Sequence, residues 1–125
     1  MRVIVSEKPS MGRAIAAALG INGKGRNNYI EGNGVIVTWC IGHLVEAVTP
    51  EVYNPNLKAW RMDTIPFFPE AFRYAPIAST KDQFDVVSAL LNRKDVDDVV
   101  NATDAGREGE LIFDLVYHQA GCNKP

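Results

Sequence analysis

The hydrophobic residues of this chain come in short runs separated by glycine, proline and polar clusters. Val3, Ile4 and Val5 stand between Arg2 and Ser6, a β-branched run that predicts a buried strand over residues 2–6. Pro9 follows at a place suited to a first helical turn, Met11 to Leu19 is alanine-rich and helical in character, and Gly20 is a natural stop. Asn22 to Asn28 reads as a polar, glycine-bearing loop. Tyr29-Ile30-Glu31, Gly32-Asn33-Gly34 and Val35 to Ile41 read together as a hairpin. Between Val48 and Pro76 the pattern breaks down. That stretch holds five of the seven prolines together with Tyr53, Trp60, Phe67, Phe68 and Phe72, and is expected to be irregular, with a short strand near Phe72–Ala75. Ser79-x-x-Asp82 then resembles a capping box, and Phe84, Val87, Leu90 and Leu91 recur at helical spacing behind it. Val96 to Ala102 predicts another strand, Thr103 to Gly109 a loop, and Leu111, Ile112, Leu115 and Val116 one face of a last helix closed by Gly121.

Strands alternating with helices predict an α/β fold with a mainly parallel central sheet flanked by helices. The 125 residues fit one compact domain. Composition adds little to this, but charge does. The net charge of −2 departs from the basic stripe of a free-standing DNA binder, so any nucleic-acid contact must be local or assisted. Cys40 and Cys122 lie far apart and outside any C-x-x-C pair, which reads as two reduced thiols. No apolar run approaches the ~18 residues of a membrane span. These features together place the expected location in the cytoplasm and argue against a membrane partner.

In parallel α/β sheets, functional groups gather outside the C-terminal ends of the strands. Two loops qualify. Ser6-Glu7-Lys8-Pro9-Ser10 offers a carboxylate that can hold a hard cation or move a proton, beside a lysine that can meet a phosphate. Asp104-Ala105-Gly106-Arg107-Glu108-Gly109-Glu110 places acids and two glycines directly after a strand, with Arg107 able to hold a phosphate through its planar fork. Each loop also has a plainer reading: a surface Glu–Lys pair at a helix start, or acids favouring a first helical turn while Arg107 pairs with one of them. Their co-occurrence in one α/β pattern favours a metal–phosphate site. His43 either touches nucleic acid, frames the site, or is a hydrogen-bonded structural histidine. Trp39 and Trp60 read as packing residues.

Ser6-Glu7-Lys8-Pro9-Ser10, Gly42-His43-Leu44 and Thr103-Asp104-Ala105-Gly106-Arg107-Glu108-Gly109-Glu110, in that order, resemble the Toprim domain of type IA DNA topoisomerases, most of all the topoisomerase III branch. The resemblance covers Met1 to about Pro125 and implies a Toprim-like fold. It implies magnesium held by Glu7, Asp104 and Glu108, with Glu7 also a candidate general acid for the leaving 3′ oxygen. Lys8 and Arg107 match basic residues near the scissile phosphate, so Glu7, Lys8 and Arg107 are the expected catalytic set, and Lys8, His43 and Arg107 the expected DNA contacts. The chain departs from the family pattern at Gly106, which stands where a second aspartate is usual. The nucleophilic tyrosine of the family lies in another domain, and Tyr29, Tyr53, Tyr74 and Tyr117 match no such motif.

The resemblance therefore implies part of an isomerase that cleaves and rejoins single-stranded DNA, inactive alone and partnered by single-stranded DNA and by the remaining topoisomerase domains. It implies one Toprim domain whose sheet normally continues past Pro125, which leads us to expect self-association through an open strand edge or an exchanged terminal element. Two other readings stand beside it: a Toprim nuclease or primase-type domain, and a non-catalytic interaction module.

Overall fold

The computed structural model describes residues 1–21, 28–59, 61–63 and 65–125. The expected Asn22–Asn28 loop, save Asn28, and the reading of Trp60 lie outside the described residues. In chain order the elements are β1 (Arg2–Ser6), α1 (Pro9–Ala18), β2 (Tyr29–Gly32), β3 (Val35–Trp39), β4 (Val45–Ala47), α2 (Pro50–Tyr53), a 3-10 turn (Pro55–Leu57), β5 (Tyr74–Pro76), a second 3-10 turn (Ala78–Thr80), α3 (Lys81–Leu91), β6 (Asp98–Ala102) and α4 (Arg107–Gln119).

Among the described residues, one sheet runs in the order β2-β3-β1-β6. β1 is central and pairs parallel with both β3 and β6. β2 closes antiparallel on β3 through Asn33 and Gly34, whose φ values of 54° and 77° give the two left-handed residues that a type I′ hairpin turn demands. The fold is thus α/β, with a mainly parallel sheet flanked by helices.

Alternation along the strands splits the core into two faces. Val3 and Val5 of β1 and Ile36 of β3 join Phe84, Val87, Leu90 and Leu91 of α3 and Ile112 and Val116 of α4 in one cluster. On the opposite face Val37 packs with Ala16 and Ile21, and Ile4, Ile15, Ile30 and Val35 surround them. Each such side chain, fully buried, contributes about 1.5–3 kcal/mol of hydrophobic stabilisation before entropy is counted. Cys40 and Cys122 are both buried free thiols.

Helix ends follow the glycines. Gly20 (φ 67°) ends α1, with Ile21 N–H donating to Ala16 O at 3.0 Å and Gly20 N–H to Ala17 O at 3.1 Å, the paired bonds of a Schellman motif. Gly121 (φ 68°) closes α4 in the same way through Cys122 N–H to Tyr117 O at 3.2 Å.

Three local expectations need correction. The capping box is not formed: Ser79 lies inside the 3-10 turn that leads into α3, and Thr80 occupies the cap position without a side-chain cap bond. The strand expected near Phe72–Ala75 is shifted to Tyr74–Pro76 and pairs antiparallel with Val45–Ala47, a strand the pattern does not announce. Within residues 48–76 short helical turns form at Pro50–Tyr53 and Pro55–Leu57, and Tyr53 pins the segment, its hydroxyl accepting the Arg73 N–H at 2.6 Å and its ring lying 5.5 Å from Phe67. No helix among the described residues is long and apolar enough to cross a membrane.

Candidate functional site

Register brings the two loops together. Ser6 pairs with Ala102 on one side and with Trp39 on the other, so the chain leaves β1, β3 and β6 at the same level. Glu7 follows Ser6, Cys40 follows Trp39, and Thr103-Asp104 follows Ala102.

The first loop is held from within. The buried Ser6 hydroxyl lies 3.1 Å from Lys8 O and 3.4 Å from Thr38 O. Lys8 is the extended cap residue of α1, with Pro9 in the first turn. Gly12 N–H donates to Lys8 O at 3.1 Å. A Cβ on Gly12 would stand 2.6 Å from Trp39 Cε3, so the absence of a side chain lets the first turn of α1 lie directly on the indole. Trp39 is buried and the Arg13 guanidinium sits 5.7 Å from its ring centroid, which bears out the packing role.

The second loop is tighter. Thr103 Oγ1 lies 2.6 Å from Asn101 Oδ1 and 2.9 Å from Gly109 O, and Asn101 Nδ2 donates to Glu110 Oε2 at 3.2 Å. Gly109 is buried against the Asp104 backbone. Gly106, the cap of α4, is extended (φ −177°) with open space where a Cβ would stand.

These two loops set Glu7 against Asp104. The Glu7 carboxyl is half-buried and raised above the ordinary glutamate range. Partial burial is the leading cause, followed by a carboxyl–carboxyl hydrogen bond and charge repulsion from Asp104, with Glu108 adding to the repulsion; the Asp104 backbone amide opposes the rise. Behind Glu7, burial pushes the Cys40 thiol up to about 12, helped by the Glu7 charge. His43 follows Gly42, whose φ of 60° makes the turn out of β3, and its Nε2 lies 3.4 Å from Glu108 Oε1. Lys8 and Arg107 are exposed and form no ion pair among the described residues, which removes the reading in which Arg107 is tied to a neighbouring acid.

The other end of the sheet makes the contrast. There Asp98 is held below the usual carboxylate range by Arg2, bonded at 2.7 and 2.8 Å, and Asp95 likewise by Arg93. Asp97 meets the Met1 amine at 2.8 Å. Acids at the N-terminal ends of the strands have cations. Glu7 and Asp104, at the C-terminal ends, form no ion pair with a basic side chain among the described residues. Two facing carboxyls without a cation partner are hard oxygen donors that a divalent ion would relieve. Even so, no group of three or more His, Cys, Asp or Glu donors among the described residues is gathered closely enough to hold a metal ion. The arrangement is a carboxylate pair with Glu108 and His43 beside it.

The sequence motifs located Glu7, Lys8, His43, Asp104, Arg107 and Glu108. They did not single out Ser6, Gly12, Asn101 or Thr103, whose work is to hold those residues in place. The one available signal was small or hydroxyl-bearing residues flanking each acid.

Comparison with known proteins agrees with this architecture. DNA topoisomerase 3 of Staphylococcus aureus (strain USA300) is 49% identical over 123 residues, which is 98% of this chain and 17% of that protein. A protein of Staphylococcus epidermidis (strain ATCC 12228 / FDA PCI 1200) with the same name is 46% identical over 123 residues, with the same coverage of 98% and 17%. This chain therefore spans about one-sixth of the length of the curated relatives it matches. The Toprim domain family matches it from residue 2 to residue 124, all the strands and helices described above included, and the chain belongs to that family.

Proposed function

We propose that this chain is the Toprim domain of a type IA, topoisomerase III-like DNA topoisomerase, the part that handles metal and phosphate while a single DNA strand is cut and resealed. The observation that carries the proposal is the Glu7–Asp104 pair, without a cation partner among the described residues, at the C-terminal ends of two adjacent parallel strands. Magnesium suits these donors: Glu7 and Asp104, with Glu108 beside them, would hold it, and the bound ion would offset phosphate charge. Gly106 leaves the donor set one carboxylate short of the usual pattern, so affinity without DNA is expected to be weak.

The remaining roles belong to the chain's own side chains. Glu7 keeps a proton more firmly than an ordinary glutamate, which suits its carboxyl to protonate the leaving 3′ oxygen. Lys8 and Arg107, exposed on either loop, are free to grip the phosphate, Arg107 from the first residue of α4, where the helix end also favours an anion. His43, beside Glu108, is placed to contact the DNA strand or to orient that acid. The attacking tyrosine comes from another part of the longer protein.

Single-stranded DNA and the remaining topoisomerase domains are the proposed partners, and the cytoplasm the proposed location. The outer edge of β6 is expected to pair with a further strand or with a second copy of the chain; Pro125 O already accepts Val99 N–H at 2.8 Å along that edge. Calorimetric titration of magnesium, with and without a short single-stranded oligonucleotide, tests the reading. Oligonucleotide should strengthen magnesium binding, and Asp104→Asn should abolish the gain. No response to magnesium in either case would leave a non-catalytic interaction module, while magnesium-dependent nicking by this chain alone would favour a nuclease.

A further inference from the structure

We infer that Thr103 is a positioning residue: its hydroxyl, between Asn101 in β6 and Gly109 in the first turns of α4, holds the intervening loop so that Asp104 faces Glu7. The inference rests on the metal-site reading above, because positioning matters only if that pair has work to do.

Two ties bridge the strand and the helix around this loop. One is Thr103 Oγ1 to Gly109 O at 2.9 Å, and the other is Asn101 Nδ2 to Glu110 Oε2 at 3.2 Å. The two ties share Asn101, whose Oδ1 accepts the Thr103 N–H at 3.1 Å and lies 2.6 Å from Thr103 Oγ1. The Thr103 hydroxyl has one proton and two acceptors within reach, so it serves Asn101 and Gly109 in turn. Asn101 and Glu110 are exposed, whereas Thr103 is half-buried. Their tie competes with water, so the Thr103 bond is the better protected of the two. Asp104 is the next residue, and its backbone packs on Gly109, the group that Thr103 grips. Releasing the hydroxyl therefore frees the first residue of the acidic loop at the point where its direction is set. The main core clusters do not include Thr103, so the consequence falls on the site rather than on the fold.

The test compares this chain with Thr103→Val, which keeps the shape and removes the hydroxyl, and with Thr103→Ser, which keeps the hydroxyl. Manganese serves as the probe, read by electron paramagnetic resonance, and backbone 15N relaxation reads loop order over Ala105–Glu108. The valine chain should bind manganese about tenfold more weakly and lose loop order, while the serine chain should match the parent in both. A valine chain with parental affinity and parental loop order overturns the inference, and so does a serine chain that fails as the valine chain does. Should the valine chain not fold, Asn101→Ala takes its place and must lose loop order; parental order there also overturns the inference. If the parent chain takes up no manganese, the site reading fails, and the relaxation data alone decide whether Thr103 holds the loop.

Discussion

The carbonyl oxygen of Asp104 lies 2.2 Å from the point where a Cβ on Gly109 would stand. No real side chain tolerates that approach, so the loop bearing Asp104 closes onto α4 only because residue 109 is glycine. Gly109→Ala should force the Asp104 backbone away. We expect it to cost about 1–3 kcal/mol, the usual range for an added methyl in a packed site, measured by urea denaturation. Magnesium stabilisation of the fold should disappear with it. An alanine variant with unchanged stability would mean that the loop yields at no cost.

Gly106 differs from Gly109 in kind. Its backbone is extended and its surroundings are open, so a side chain there meets neither strain nor collision. Gly106→Asp should fold normally, since aspartate is a favoured cap residue and gains a few tenths of a kcal/mol over glycine at such a position. It adds a carboxylate to the proposed set of Glu7, Asp104 and Glu108. Manganese affinity should rise by about tenfold, as read by calorimetry; unchanged affinity would place the bound ion away from this loop.

Glu7 sets a pH dependence whose sign is fixed by its raised carboxyl. The folded chain keeps this proton more readily than the unfolded chain does. Its contribution is therefore favourable at low pH and is lost as pH rises from the ordinary carboxylate range through the Glu7 value in the folded state, after which it levels off. Glu7→Gln removes the effect. In metal-free buffer the glutamine chain should gain stability over the parent at neutral pH, and the gain should fade below the carboxylate range. Saturating magnesium should reverse the order, because only the parent has the full donor set. Denaturation midpoints across pH, with chelator and with magnesium, check both halves.

By itself the chain should neither nick nor relax supercoiled DNA in magnesium. Two of the four tyrosines have structural occupations instead: the Tyr117 hydroxyl donates to Lys124 O at 2.7 Å, and the Tyr53 hydroxyl accepts from Arg73. Gel assays of plasmid topology measure this directly, and cutting that vanishes in Glu7→Gln would overturn the topoisomerase assignment.

Much of this site is legible in the sequence because its information is local. Val3 to Val5, Asn33-Gly34, Gly20 and Gly121 dictate a strand, a turn and two helix ends from their own chemistry, and each acid follows a strand end by simple adjacency. What the sequence does not disclose is pairing over distance. The β4–β5 ribbon joins Val45–Ala47 to Tyr74–Pro76 across an irregular segment, and three-residue strands are too short to show alternation. The capping box failed for a related reason: Ser79 has the right neighbours in sequence, but the preceding turn displaces the helix start to Thr80. Thr103 was hidden because a hydroxyl beside an acid carries no signal until its two partners are folded beside it.

The place of β1 at the middle of the sheet makes the two sides of the site unequal in time. Glu7 leaves a strand bonded on both flanks, whereas Asp104 leaves β6, which has β1 on one flank and lies at the end of the strand order. Opening of backbone bonds begins at such borders and reaches interior strands last. Glu7 is therefore expected to be the steadier member of the pair and Asp104 the first to open, an order that amide exchange at the two residues would read. Should the pair hold an ion as proposed, its capture and release are expected to run through the β6 side.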